Sequence, residues 1–134
     1  MKKDIATNYM KIWNAGQCDL LDKYASTALS VDYSHFPQTI EGIPDYKEML
    51  KMTYEYFPDL KISIDRTYGQ NQSITVIWTY WGTFTNGELF GKKANNQDVK
   101  VSGMTVLEID ENALVVNEKG IVDNLSLAMQ IGAL

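Results

Sequence analysis

The chain has few of the residues that build disulfides, metal sites or nucleophilic centres. Its 134 residues include one cysteine, Cys18, and one histidine, His35. A single cysteine excludes an internal disulfide and suits a reducing compartment, so the sequence predicts a cytoplasmic protein. Cys18 lies in a short polar stretch without a neighbouring base, which is typical of an idle thiol. A lone histidine without a cysteine cluster is poor support for a metal site, and we predict neither a metal nor another cofactor.

Clustered positive charge and long apolar runs are also scarce. The net charge is −5, and the only basic doublets are Lys2-Lys3 and Lys92-Lys93. A nucleic-acid partner is therefore not expected, because it would require a basic patch. No apolar run approaches the length of a membrane span, so no membrane partner is expected. The N-terminal residues are not followed by the apolar segment of a signal peptide.

The chain is rich in core-forming and aromatic residues. Hydrophobic residues make up 45% of it, with eight Tyr, four Phe and three Trp. This composition suits one folded domain over residues 1–134, and the aromatic side chains can line a pocket as well as fill a core.

Helical spacing dominates the first part of the chain. Apolar residues recur every three to four positions over residues 4–14, which predicts an amphipathic helix. A short second helix follows at 19–25, and a strand at 29–36. Gly42 and Pro44 open a third helix that Pro58 ends.

After Pro58 the period changes to the alternation of strands. Leu60, Ile62 and Ile64 alternate with polar residues, and longer strands are predicted at 73–85, 99–109 and 114–122. Hairpin, loop and turn signals separate them at Asn86-Gly87, 92–98 and 110–113. A helix over 123–131 closes the chain. Helices followed by a meander of long, twisting strands predict an α+β fold in which a curved antiparallel or mixed sheet wraps around the N-terminal helices and leaves an apolar cavity.

Asp123 stands at the joint between the last strand and the last helix, and its position has two explanations. As the N-cap it would accept a hydrogen bond from the start of the helix. Strand alternation also places it on one face with Asn117, Lys119 and Ile121. If that face lines a cavity, the carboxyl group could have a raised pKa and act as an acid or base. Both roles can hold together.

Four segments in order resemble the SnoaL-like polyketide cyclases of the nuclear transport factor 2-like superfamily. They cover nearly the whole chain and are Tyr56-Phe57-Pro58-Asp59-Leu60, Trp78–Thr83 with Gly87 and Leu89-Phe90-Gly91, Val101–Val106, and Asp123–Gly132 with its Gln130-Ile131-Gly132 ending. The resemblance implies a cone-shaped, cystatin-like α+β barrel with a deep pocket. It also implies a homodimer formed through the outer sheet face, which the aromatic residues on both faces of the long strands favour as well.

The resemblance also suggests a chemistry and a site. In the cyclases an Asp at the end of the last strand acts as acid and base in an intramolecular aldol closure, and Asp123 matches it. His35 matches a polar pocket residue, so we predict Asp123 and His35 as catalytic. Two histidines of the family are replaced here by Thr105 and Phe84, and an aromatic residue by Lys119. The predicted pocket lining is Trp13, Tyr33, Trp78, Tyr80, Phe84, Thr105 and Lys119.

Three functions remain open from the sequence. The first is a cyclase or isomerase acting on an apolar molecule that carries carbonyl groups. The second is a non-catalytic protein that binds an apolar small molecule. The third is a dimerisation module whose cavity is filled by Trp and Met side chains. A cavity of a few hundred Å³ would favour the first two.

Overall fold

A computed structural model describes residues 2–134. Its helices are α1 (Lys2–Met10), α2 (Leu21–Tyr24), α3 (Ile43–Tyr56) and α4 (Asn124–Ile131), with 3-10 turns at Lys11–Trp13 and Cys18–Leu20. Its strands are β1 (Ala25–Tyr33), β2 (Ile40–Glu41), β3 (Lys61–Gln70), β4 (Ser73–Phe84), β5 (Glu88–Leu89), β6 (Lys92–Lys93), β7 (Gln97–Ile109) and β8 (Val115–Val122).

Six strands form one curved mixed sheet in the order β2-β1-β8-β7-β4-β3. Strands β1 and β8 pair in parallel, whereas the other neighbours are antiparallel. The sheet does not close on itself, because β2 and β3 remain as edges. The remaining two strands, β5 and β6, form a small separate hairpin. The predicted α+β fold class, with helices on one side of a curved mixed sheet, is confirmed.

Several element boundaries differ from the sequence prediction. Strand β1 starts at Ala25 rather than at 29 and ends at Tyr33, because a tight turn follows in which the Phe36 N–H donates to the Tyr33 carbonyl at 2.9 Å. The segment 92–98 is not a simple loop, since β6 occupies its start and β7 already begins at Gln97. Helix α1 ends at Met10 and tightens into a 3-10 turn.

Helix α3 follows its sequence signals closely. It begins after Gly42, whose φ of 87° is the left-handed conformation that glycine tolerates best, and Pro44 occupies its first turn. Its buried residues Tyr46 and Leu50 are one helical turn apart and face the sheet. Helix α3 is also the longest described helix at 14 residues, and no helix among residues 2–134 is both long and apolar enough to cross a membrane.

A β-bulge in β8 determines which residues of this strand face inward. Asn117 pairs with Glu108 and Val115 pairs with Ile109, so Val116 is an extra residue in the ladder. Val115 is buried, and strict alternation from it would turn the odd-numbered residues inward. The bulge reverses that alternation. Glu118, a buried residue, faces inward instead.

Candidate functional site

A cavity of about 280 Å³ lies between α3, the inner sheet face and α4. Its aromatic lining comprises Trp13, Tyr33, Phe36, Tyr56, Phe57, Tyr80 and Phe90. Its aliphatic and thioether lining comprises Met49, Leu60, Leu89, Val122 and Leu127. The remaining lining residues are His35, Thr53 and Asn124. Among the described residues, no lysine or arginine lines this cavity, which therefore suits an uncharged, mostly apolar guest.

Rings packed against one another hold the aromatic wall in place. Tyr33 makes an edge contact with Trp13 at 6.1 Å between ring centroids and a tilted contact with Phe36 at 5.3 Å. Gly120 on β8 permits this arrangement, because a Cβ there would lie 2.4 Å from Cε2 of Tyr33. The inner wall is therefore rigid and close-packed.

His35 lies at the rim of the cavity. The turn after β1 exposes it, and its ring packs edge-on against Phe36 at 4.9 Å between centroids. Partial burial lowers the pKa of its imidazole below 6.5, so the ring is neutral at neutral pH and can accept a proton. His35 also borders an open groove on the outer face of the sheet.

Asp123 lies outside the cavity, which corrects the expectation that the face it shares with Asn117, Lys119 and Ile121 lines the pocket. Its side chain is exposed, and its Oδ1 accepts a hydrogen bond from the Ser126 N–H at 3.1 Å, as an N-cap does. The β8 bulge is the physical reason, because it turns Val122 toward the cavity and Asp123 away from it. Asp123 instead borders the open outer groove, and it shares that groove with His35.

Four other residues predicted to line the pocket lie elsewhere. Lys119 is exposed on the outer face, again because of the bulge. Phe84 is fully buried against Phe57, at 5.8 Å between ring centroids, and belongs to the core. Thr105 is also fully buried, and it accepts a hydrogen bond from the Trp78 indole N–H at 2.9 Å. Trp78 borders a small void of about 30 Å³ that adjoins the cavity and shares Trp13, Tyr33, Tyr80 and Val122 with its wall. The structure does bring Trp13, Tyr33, Tyr80 and His35 together around the cavity.

Glu118 is a buried carboxylate that the sequence analysis missed. It is 0% exposed and receives hydrogen bonds from three tyrosine hydroxyls. Tyr9 of α1 donates to Oε1 at 2.6 Å, Tyr46 of α3 donates to the same oxygen at 2.8 Å, and Tyr33 of β1 donates to Oε2. We call Glu118 and these three tyrosines the Glu118 cluster. It ties two helices and a strand to β8 beside the inner end of the cavity.

The hydrogen-bond pattern of the Glu118 cluster accounts for every hydroxyl proton when Glu118 is ionised. Thr105 lies 2.9 Å from the Tyr33 oxygen and can donate to it, while Tyr33 donates onward to Glu118. Burial nevertheless raises the pKa of Glu118, and the hydrogen bonds from its tyrosines offset only part of that rise. Burial and the neighbouring carboxylate likewise raise the pKa of each tyrosine, so the hydroxyls stay protonated as donors.

A bulge has no reliable sequence signature, so the inward position of Glu118 could not be predicted from strand alternation. The one available hint was Gly120, since a glycine inside a strand marks a close approach of another group. No group of three or more His, Cys, Asp or Glu side chains within residues 2–134 is arranged to hold a metal ion.

The chain was compared with protein families, with functionally curated proteins and with solved structures. The sequence model of the SnoaL-like polyketide cyclase family matches residues 3–131. Among functionally curated proteins, none matches the chain.

Solved structures share the fold at low sequence identity. A protein from Jannaschia sp. CCS1, assigned to the SnoaL-like polyketide cyclases, is 18% identical with a TM-score of 0.83, over 99% of this chain and 92% of its own. TsrD from Streptomyces laurentii is 19% identical with a TM-score of 0.85, over 98% and 95%. AclR from Streptomyces galilaeus, described as a candidate hydroxylase, is 17% identical with a TM-score of 0.84, over 99% and 85%.

These likenesses carry the fold alone, and a fold by itself does not fix one reaction. The family match, in contrast, spans almost the entire sequence and agrees with the resemblance of the four segments. The chain belongs to the SnoaL-like polyketide cyclase family.

Proposed function

We propose that the protein binds a mid-sized, largely apolar small molecule in the cavity between α3, α4 and the sheet. The observation that carries this proposal is a cavity of about 280 Å³ whose wall is almost wholly aromatic and aliphatic. This volume lies near the lower end of the range for small-molecule sites. A module that used the fold only for dimerisation would have no need of this space. The free, buried thiol of Cys18 suits a cytoplasmic setting.

We further propose cyclase-like or isomerase-like acid/base chemistry at the rim, with His35 as the group that reaches the cavity. A neutral imidazole can remove an acidic proton beside a carbonyl group and return it to carbon or oxygen. Asp123 enters this proposal through the outer groove, because it borders that groove together with His35. A carboxylate on that side can orient the imidazole or stabilise its protonated form.

The binding proposal can be tested with N-phenyl-1-naphthylamine, an uncharged probe that fluoresces in apolar surroundings. Thr53→Trp introduces a large side chain into the cavity wall, so we expect it to abolish the fluorescence increase. Met52→Trp is the matched control, since Met52 is the neighbouring residue of α3 and is 56% exposed. Equal probe binding by both variants would show that the probe does not occupy this cavity.

The acid/base proposal can be tested by proton exchange. In D₂O, wild-type protein should accelerate deuterium incorporation beside the carbonyl of 2-tetralone, followed by NMR. We expect His35→Asn to lower that rate about 100-fold or to the background. Asp123→Asn retains most of the capping ability and should lower the rate only if Asp123 acts with His35. Probe binding without any acceleration would favour a non-catalytic binding protein.

We also propose a homodimer through the outer sheet face. Large apolar side chains are exposed there, including Trp81, Met104, Val106 and Ile121, and Ile121 is 64% exposed. Adjacent exposed apolar residues of this size favour burial in an interface. Light scattering should show a dimer for the wild type and a monomer for Met104→Glu, with Met52→Glu on α3 as the control. A monomeric wild type at micromolar concentration would refute the dimer.

A further inference from the structure

Tyr80 is partly buried on the cavity wall, and its hydroxyl has no hydrogen-bond partner among residues 2–134, whereas the hydroxyls of the buried tyrosines do. The hydroxyls of Tyr9, Tyr33 and Tyr46 all donate to Glu118, and that of Tyr54 donates to the Ile12 carbonyl. Tyr80 lines the cavity with a ring that is mostly withdrawn from solvent. The buried side-chain nitrogen or oxygen without a partner among residues 2–134 is Nε1 of Trp13, which lines the same cavity, so the Tyr80 oxygen is accessible rather than sealed in the core. A hydroxyl without a protein partner on a cavity wall is available to a ligand.

We propose that Tyr80 is a specificity-determining residue that donates its hydroxyl proton to an oxygen acceptor on an uncharged ligand. This inference rests on the proposed small-molecule function and adds the chemical class of group that the cavity recognises. Ketone, quinone and ester carbonyl groups are such acceptors.

The position of the Tyr80 ring is fixed by its neighbours. It stacks on Trp78 at 5.9 Å between ring centroids with an interplanar angle of 20°, and it packs at a tilt against Phe57 at 6.2 Å. Its strand, β4, lies inside the sheet between β7 and β3. A hydroxyl held by a packed ring on an interior strand is pre-organised, so a ligand gains the hydrogen bond without ordering the residue.

The charge environment restricts the acceptor to an uncharged one. Burial raises the pKa of the Tyr80 hydroxyl, so this group remains a proton donor and does not act as a base at neutral pH. A carboxylate ligand would be desolvated without a counter-charge, because no lysine or arginine lines the described cavity wall. The buried carboxyl group of Glu118, when ionised, would repel it further.

Fluorene and 9-fluorenone provide a test, because they have nearly the same shape and only the ketone accepts a hydrogen bond. We would measure the ratio of their affinities by intrinsic tryptophan fluorescence for the wild type, Tyr80→Phe and Tyr68→Phe. Tyr68 is the control, since it is a tyrosine of β3 that is 53% exposed and does not line the cavity. Comparing this ratio between wild type and variant cancels the different hydration of the two probes. We expect Tyr80→Phe to lower the preference for fluorenone by roughly two- to ten-fold, the contribution of one neutral hydrogen bond. Tyr68→Phe should leave the preference unchanged.

The outcomes separate this inference from the function on which it rests. If both probes bind and Tyr80→Phe leaves their ratio unchanged, the role of Tyr80 is refuted while the binding cavity stands. If neither probe binds the wild type, the proposed function fails and the inference fails with it. A second measurement is the infrared carbonyl band of bound fluorenone, which should lie at lower frequency in the wild type than in Tyr80→Phe. The comparison needs both proteins, because the unpaired Nε1–H of Trp13 on the same wall is present in each. Equal band positions would also refute the hydrogen bond from Tyr80.

Discussion

Two neighbouring regions of the interior use tyrosine in opposite ways. In the Glu118 cluster, three hydroxyls from three different elements meet one carboxylate, and each is satisfied within the protein. In the cavity, the Tyr80 ring stacks on Trp78, yet its hydroxyl has no partner among residues 2–134. Tyr33 joins the two regions, because its ring lines the cavity while its hydroxyl belongs to the cluster.

The difference separates stability from recognition. A buried carboxylate contributes to a folded protein only when donors compensate for its desolvation, and the cluster supplies three donors. An unpaired hydroxyl contributes nothing to the folded state, but it is available to a guest. Removing a hydroxyl or the carboxylate of the Glu118 cluster should therefore destabilise the protein. Removing the Tyr80 hydroxyl from the cavity should instead alter which ligand binds.

The largest effect is expected for Glu118→Leu. This change leaves three buried phenol hydroxyls without their acceptor, and we expect a loss of about 3–5 kcal/mol in the free energy of unfolding. Urea denaturation followed by circular dichroism measures it. Glu111→Leu, in the exposed turn before β8, is the control and should change stability by less than about 0.5 kcal/mol. A loss below about 1 kcal/mol for Glu118→Leu would contradict the assigned role of the cluster.

Tyr46→Phe should have the next largest effect. It removes one donor from a buried carboxylate at 2.8 Å while preserving the ring. Hydrogen bonds to charged groups are worth about 1.5–3 kcal/mol, and we expect a loss of unfolding free energy in that range. Tyr56→Phe removes a hydroxyl without a described partner and should cost less than about 0.5 kcal/mol. Equal losses of unfolding free energy for the two variants would contradict the proposed difference between the Glu118 cluster and the cavity.

The pH dependence of stability tests the state of the carboxyl group itself. Burial raises the pKa of Glu118 above the usual value of about 4.5, so the folded chain retains a proton that the unfolded chain releases. Stability from this group is therefore full below pH 4.5 and decreases as the pH rises through the folded pKa, by at most about 1.4 kcal/mol per pH unit.

The comparison to make is wild type against Glu118→Gln, since the difference isolates this carboxyl group. The pKa of His35 is lowered, so His35 contributes a slope of the opposite sign below pH 6.5 in both proteins, and that slope cancels. The stability advantage of the wild type over Glu118→Gln should shrink as the pH rises above 4.5. An advantage that grows with pH instead would show that the tyrosine hydrogen bonds outweigh burial.

Much of the fold was readable from the sequence because its signals are local. The helical stripe ended by Pro58 and the alternation that follows predicted α3 and the long strands, and the structure has both. The β5–β6 hairpin is not predicted, because two strands of two residues each, flanked by Gly87 and Gly91, have no room for the alternation that marks a strand. The start of β1 was also missed, because Ala25–Ala28 has little of the alternation that marks a strand.

The site was less readable because a single bulge reverses the facing of a strand. Alternation groups Asp123 with Asn117, Lys119 and Ile121, and the family resemblance assigned that face to the cavity, whereas the extra residue Val116 turns Glu118 and Val122 inward instead. No local pattern reveals such a bulge, since it is decided by pairing with β7 and β1. The catalytic roles of Asp123 and His35 stay predictions, and the proton-exchange measurement distinguishes between them.

The smallest change in the free energy of unfolding is expected for Tyr80→Phe, and the sign of this change is informative. Removal of an unpaired hydroxyl from an apolar cavity should leave the free energy of unfolding unchanged or raise it by up to about 1 kcal/mol. Tyr46→Phe should lower the free energy of unfolding. Because both variants remove the same hydroxyl group, a difference between them reports the surroundings of that group. Thermal and urea unfolding of both variants measures this difference. A Tyr80→Phe loss above about 1 kcal/mol would mean that the hydroxyl already has a partner in solution, such as an ordered water. A neutral or stabilising change together with weaker fluorenone binding would show a residue that gives up stability for ligand recognition.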